Sequence, residues 1–305
     1  MELLDSRRLT GVNLIMPGPG PVMDVEASAD EVDGVVAAWR DRLARMLPAL
    51  GWDEATLVER RFAGGVTLAF DAPIDVLYAA CEVNEWALEG GAFEAAYERL
   101  RKTIDEEARP ALLALRDAAA EHGVAFLWDD DEVSLGLGTG CRTWPADALP
   151  APGDVDWDAL HDIPVVMVTG TNGKSTTVRL LAAMVAADGK VPGLSSTDWI
   201  RVGDDVLDTG DYSGPGGARA VLRDGRCEVA ILETARGGML RRGLGFEAAD
   251  AVAVLNVAED HLGEWGIGDL AGLVETKFLV ERGLREGGTL ILNADEAPVL
   301  ERGLA

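Results

Sequence analysis

Lys174 and Ser175 follow a four-residue turn, Gly170-Thr171-Asn172-Gly173, and precede Thr176. A lysine, a hydroxyl and two glycines at this spacing suit the holding of phosphate oxygens. The glycines let backbone N–H groups come close, the lysine brings a positive charge, and the serine hydroxyl is a hard oxygen ligand for Mg²⁺. For this to work, the turn must join a strand to a helix N-terminus, where unpaired N–H groups and the helix dipole favour anions. The flanking sequence meets both conditions. Val165 to Thr169 is an apolar, β-branched run bounded by Pro164 and Gly170, which reads as a buried strand. After Lys174 the apolar residues Val178, Leu181 and Val185 recur at helical spacing until Gly189. Gly170, Thr171, Asn172, Gly173, Lys174, Ser175 and Thr176 are therefore the expected phosphate cradle. Val168 stands where the general phosphate-loop pattern has glycine, so context carries this reading as much as the letters do.

Other residues with chemistry in them fall at expected strand ends. Val229 to Leu232 runs into Glu233, Ala251 to Val257 into Glu259-Asp260-His261, and Thr289 to Leu292 into Asn293-Ala294-Asp295. A helix from Asp269 to about Leu284 carries Lys277. Strands alternating with helices imply an α/β fold with a mostly parallel sheet and helices on both faces. Ligands bind outside the carboxyl ends of such strands. One edge of one sheet should thus collect a lysine, a hydroxyl, a carboxylate and an imidazole. Taken singly, each has a plainer reading: Glu233 as a helix cap, His261 as a structural histidine, Lys277 and the Arg236, Arg241, Arg242 group as solvated cations.

The chain has 305 residues, room for two domains, and 48% are hydrophobic. A formal net charge of -26 argues against nucleic acid and anionic membranes as partners. Cys81, Cys141 and Cys227 show no metal-binding spacing and suggest reduced thiols in a cytoplasmic protein. No apolar run approaches membrane-spanning length. The N-terminal half reads as a smaller α+β domain, residues 1–148. Its elements are a helix over 30–50, strands over 57–62 and 66–70 around Gly64-Gly65, a helix from Pro73, a long helical stretch over 93–122 broken at Pro110, and strands over 124–128 and 133–137. Residues 17–21 must be a loop. Residues 149–162, rich in Pro, Ala and Asp, read as a linker, and 163–305 as the phosphate-binding domain. Gly136 to Pro145 has GxGxG spacing followed by proline, which excludes a dinucleotide fingerprint. It is either a domain-closing loop or a substrate loop using Arg142. His122 and His161 read as surface histidines.

The ordered segments TGTNGKST, ILETARGGMLRRGLGF, LNVAEDHLG, Lys277 and ILNADE resemble the central ATPase domain of the Mur ligase superfamily. GDYSGPGGARAVL, SRRLTGVNL and APIDVLYAACEVNEWAL further resemble cyanophycin synthetase-type chains. Those chains carry an ATP-grasp module where residues 149–162 stand here. Mur ligases also have a third domain, so the central domain is expected to be incomplete after Asn293-Ala294-Asp295-Glu296. The resemblance implies an ADP-forming acid–amine ligase using ATP and Mg²⁺. It implies a small-molecule or peptide carboxylate substrate and an amine, with self-association left open. It implies Lys174, Glu233, His261 and Lys277 as catalytic residues, with Ser175, Glu233, His261 and a carbamylated Lys277 as metal ligands and Asn293 as an adenine contact. A non-catalytic ATP- and polymer-binding module, or a simple ATPase or kinase, are the alternatives.

Overall fold

Alternating and 3.6-residue periods in the first hundred residues produce an antiparallel sheet covered by helices. The computed structural model describes residues 1–259, 267 and 269–305. By internal contacts it divides into Met1–Pro110 and Ala111–Ala305. The first unit contains β1 (Glu2–Leu9), β2 (Gly20–Glu26), α1 (Ala29–Leu50), β3 (Leu57–Phe62), β4 (Gly65–Phe70), α2 (Leu77–Glu89) and α3 (Phe93–Glu107). Its sheet order is β1-β2-β4-β3, antiparallel throughout. Met23, Val25, Leu68 and Phe70 on one sheet face pack with Trp39, Leu43, Met46, Val83 and Leu100 from the helices. Burying the Trp39 indole would cost a hydrogen bond, but its N–H donates to Asn84 Oδ1 at 2.8 Å, and Asn84 Nδ2 donates to the Leu68 carbonyl at 3.2 Å.

The second unit opens with α4 (Pro110–His122) and a three-stranded antiparallel sheet of β5 (Phe126–Trp128), β6 (Glu132–Leu135) and β7 (Arg142–Pro145). The division by contacts thus falls after Pro110, whereas composition had suggested about residue 148. The reason is packing: Leu115 and Ala119 of α4 and Leu135 of β6 share a core with Val155 and Leu160. Residues 149–162 are accordingly held against the unit. They form short 3₁₀ turns at Pro152–Asp154 and Trp157–Ala159, and the Trp157 ring stacks on His122 with centroids 4.2 Å apart.

The large sheet follows, built from β8 (Val165–Thr169), α5 (Lys174–Ala187), β9 (Pro192–Ser195), β10 (Trp199–Val202), β11 (Asp205–Thr209), α6 (Pro215–Arg223), β12 (Val229–Glu233), α7 (Arg236–Arg242), β13 (Ala249–Val254), α8 (Leu270–Phe278), β14 (Leu284–Leu292) and α9 (Ala297–Leu304). The strand order is β11-β10-β9-β12-β8-β13-β14. The pairings β9–β12, β12–β8, β8–β13 and β13–β14 are parallel, while β10 is antiparallel to both neighbours. The expected mostly parallel α/β architecture is present. Val168, Leu194, Ile231 and Ala253 on one face bury Val178 and Ala182 of α5. Met167 and Leu232 on the other meet Met239 of α7 and Phe246. No helix among the described residues is long and apolar enough to cross a membrane.

Candidate functional site

The turn after β8 is held by the segment that follows β13. The Thr171 N–H donates to the Asn256 carbonyl at 3.0 Å, and the Asn172 N–H donates to Asn256 Oδ1 at 2.8 Å. Asn256 Nδ2 returns a bond to the Asn172 carbonyl at 3.0 Å, and the Ala258 N–H donates to Thr171 Oγ1 at 3.0 Å. Gly170 is needed for this closeness, because a Cβ there would lie 3.0 Å from Leu255 Cβ. Gly173 is needed for a different reason: its φ of 83° is left-handed, and it turns the chain into α5. With the Thr171 and Asn172 amides committed to Asn256, the N–H groups of the first turn of α5 are the ones left for phosphate, since a helix start has no internal partners for them. The exposed Thr176 belongs to that turn. Lys174 Nζ reaches back to the Thr171 carbonyl at 3.1 Å, so the lysine head lies over the turn.

Beside the turn lie three oxygen-bearing side chains. Ser175 Oγ is 3.1 Å from Thr197 Oγ1, in the connection from β9 to β10. The Thr197 N–H donates to Glu233 Oε2 at 3.4 Å, at the end of β12. Glu233 is 2% exposed, and among the described residues its Oε1 has no hydrogen-bond partner. A buried carboxylate oxygen without a partner is costly. Two hydroxyls and a carboxylate next to a phosphate-binding turn form a hard oxygen donor set of the kind Mg²⁺ takes, with phosphate oxygens and water completing the shell. Among the described residues no three His, Cys, Asp or Glu side chains gather to hold a metal by themselves.

Lys277 is 5% exposed on α8, next to the fully buried Thr276. Such burial removes the solvated-lysine alternative. Asn293 follows β14. Its Nδ2 donates to the Leu255 carbonyl at 2.9 Å, and its Oδ1 accepts from the Asp295 N–H at 3.1 Å, so it ties the ends of β13 and β14 together. His261 lies outside the described residues. Arg236, Arg241 and Arg242 fall on the short α7, and the last two are exposed. Thr197 and Asn256 carried no role in the sequence reading. The signal for both was position, since each follows a strand at the edge that already held Ser175 and Glu233.

The Gly136–Pro145 segment lies at the other edge of the sheet. The Leu137 N–H donates to the His161 carbonyl and the Thr139 N–H to the Cys227 carbonyl, each at 3.0 Å. These carbonyls precede β8 and β12, whereas the phosphate turn follows β8. This placement supports the domain-closing reading over a substrate loop. Arg142 stands on β7, with its guanidinium 5.3 Å from the Trp144 ring centroid.

Residues 168–302 match the family model described as Mur ligase middle domain. This stretch is similar to a Mur ligase middle domain. Its relatives include a cyanophycin synthetase of Geminocystis herdmanii, 48% identical over 139 residues, which are 46% of this chain and 16% of that protein. They also include a UDP-N-acetylmuramyl-tripeptide synthetase of Treponema pallidum, 32% identical over 117 residues, 34% of this chain and 22% of that protein. The chain therefore spans a minor part of the length of the curated relatives it matches. A solved UDP-N-acetylmuramoyl-L-alanyl-D-glutamate–2,6-diaminopimelate ligase overlays with 20% identity and a TM-score of 0.38, covering 46% of this chain and 28% of that one. The matched stretch begins within β8 and ends within α9. Ser175, Thr197, Asn256, Glu233, Lys277 and Asn293 all lie inside it.

Proposed function

We propose that this chain carries the ATP-using site of an ADP-forming amide ligase. The observation that carries the nucleotide and cation part is the meeting of Ser175, Thr197 and the partnerless buried oxygen of Glu233 beside the Lys174 turn. The ligase part is supported by the relatedness of the middle domain to the matching segment of a cyanophycin synthetase.

A substrate carboxylate oxygen takes the γ-phosphoryl group, the bond from γ-phosphorus to its bridging oxygen breaks, and ADP leaves with an acyl phosphate formed. An amine attacks the acyl carbon, a proton is lost from nitrogen, and phosphate departs to leave the amide. Lys174 and the first-turn N–H groups of α5 hold the phosphates, and Gly170, Thr171, Asn172 and Gly173 keep the turn in shape. Ser175, Thr197 and Glu233 would hold Mg²⁺. When bound, the cation offsets the negative charge of phosphate and carboxylate as they approach. Lys277, when carbamylated, would offer an anionic oxygen to a second cation, with His261 as its companion. Asn293 would frame the adenine from the end of β14. The protein's part is mostly positioning and charge neutralisation.

The test is nucleotide titration and ADP release by the full-length protein, with a panel of acids and amines. Release should require the amine. Lys174→Ala should fold normally and lose turnover by about 100-fold or more, because it removes a positioned charge at the transferring phosphoryl group. Amine-independent release would make the protein an ATPase, and unchanged turnover in Lys174→Ala would remove the phosphate site.

A further inference from the structure

Ser175 and Arg179 are one helical turn apart, so they share a face of α5. That face meets the turn between β9 and β10 residue by residue. Ser175 Oγ contacts Thr197 Oγ1, and the Arg179 guanidinium pairs with the Asp198 carboxylate and lies 4.5 Å from the Trp199 ring centroid. The turn itself is organised around Ser196. Its hydroxyl accepts from the Asp198 N–H at 3.2 Å and the Trp199 N–H at 3.3 Å. Its carbonyl accepts from the Tyr212 N–H at 2.8 Å, and the Asp198 carbonyl accepts from the Gly210 N–H at 2.9 Å. Those bonds fix the turn to the segment around and after β11. The Thr197 N–H also donates to Glu233 Oε2 at 3.4 Å, and the turn meets α5 through Ser175, through the Arg179 contacts and through the Trp199 ring, which packs on the Val178 and Ala182 core.

We infer that Arg179 and Asp198 form a clamp that positions Thr197, so that its hydroxyl stands beside that of Ser175 as a ligand for the cation bound with ATP. This rests on the cation site proposed above. Arg179 and Asp198 are positioning residues, since neither touches the phosphate turn. Their side chains are 46% and 45% exposed, and an exposed ion pair of this kind adds little to stability. Conservation of fold in the variants is therefore expected, and what the pair controls is the separation of two hydroxyls. A ligand displaced by a fraction of an ångström is enough to weaken a hard cation that demands near-octahedral geometry.

Charge and position make opposite predictions here. Deleting a guanidinium near a divalent cation should, by loss of Coulomb repulsion alone, tighten the metal. Loss of the clamp should weaken it. The experiment measures Mn²⁺ binding by paramagnetic resonance in the presence of a non-hydrolysable ATP analogue, on the full-length protein and its variants. Thr197→Val should weaken Mn²⁺ by about 10-fold or more, and Arg179→Ala by about 10-fold, the range seen when partners of metal ligands are removed. Metal-free analogue binding should change by less than about twofold in Arg179→Ala, because the phosphate contacts are intact. The double variant should be no weaker than Thr197→Val alone, since both changes act through one hydroxyl. Exchanging the pair, Arg179→Asp with Asp198→Arg, should recover part of the loss. Unchanged or tighter Mn²⁺ in Arg179→Ala, beside a weakened Thr197→Val, overturns the clamp and leaves the cation site standing. Additive losses in the double variant also overturn it. Unchanged Mn²⁺ in Thr197→Val overturns the cation site and the clamp with it.

Discussion

Two glycine-rich turns stand at opposite edges of one mostly parallel sheet, and Gly173 in one serves an opposite end to the glycines of the other. At the phosphate turn, a Cβ added to Gly173 would find only Leu255 Cδ1, at 3.7 Å, so space remains beside the backbone. At the Gly136–Gly140 turn the space is already filled. A Cβ on Gly136, Gly138 or Gly140 would fall 2.4, 2.3 or 2.2 Å from the carbonyl oxygen of Gly140, Cys227 or His161 respectively. One turn stays open for a ligand to enter. The other lets backbone meet backbone where the three-stranded sheet docks on the segments that lead into β8 and β12. A glycine pattern read alone cannot tell these apart, because both need backbone without side chain. The neighbours decide: Lys174, Ser175 and a helix start follow one turn, and Pro145 closes the segment after the other.

The sharpest way to break this comparison is to add a methyl group to each turn. Gly140→Ala should cost about 3 kcal/mol or more, since the clash is with backbone that has no rotamer to escape into. The variant should melt well below the parent, or fail to accumulate folded. Gly173→Ala should cost about 1–2 kcal/mol for placing a side chain in left-handed backbone, while nucleotide affinity falls by about 100-fold because the methyl stands where phosphate oxygens approach. Thermal melts paired with nucleotide titration on both variants give the readout. A Gly140 variant that melts like the parent, or a Gly173 variant that binds ATP like the parent, would collapse the distinction.

The two turns also differ in how much of them the sequence disclosed. Strand, turn and helix around Lys174 were legible because each signal is local: β-branched run, glycines, then 3.6-residue period. Glu233 was legible because it ends an apolar run. Thr197 and Asn256 were not, because their roles come from the order in which strands neighbour one another. β9 lies beside β12, and β13 beside β8, and no local period encodes that adjacency. β1 escaped for another reason. Its Asp5, Ser6, Arg7 and Arg8 break the apolar alternation, and Arg7 pairs with Asp24 across the sheet at 2.6 Å as well as with Asp5 on its own strand at 2.7 Å. The packing of residues 149–162 was hidden by composition. Their prolines and aspartates suggest a free linker, yet Val155 and Leu160 are buried in the core shared with α4.

The docking of the three-stranded sheet has a polar half as well as a glycine half, and this gives the smallest expected effect. Arg223 of α6 donates to Asp129 Oδ2 at 2.6 Å and to Ser134 Oγ at 2.8 Å, and Arg219 approaches the same carboxylate at 3.2 Å. Asp129 Oδ1 also accepts from the Asp131 and Glu132 N–H groups at 3.1 and 2.9 Å. Burial works to raise the Asp129 pKa, but the charge and hydrogen bond of Arg223, together with the backbone donors, outweigh it and hold the carboxyl below the ordinary range. A carboxyl with a lowered folded-state pKa binds its proton more readily when the chain is unfolded. Its contribution is therefore present above the ordinary carboxylate value of about 4 and is lost as pH falls through the folded value. Asp129→Asn should cost about 1.5 kcal/mol at neutral pH, and the penalty should shrink as the pH is lowered below about 4. Denaturant melts of parent and variant across that range would show the two curves converging. If the gap stays constant with pH, the pair contributes shape rather than charge, and the glycine contacts with His161 and Cys227 carry the docking by themselves.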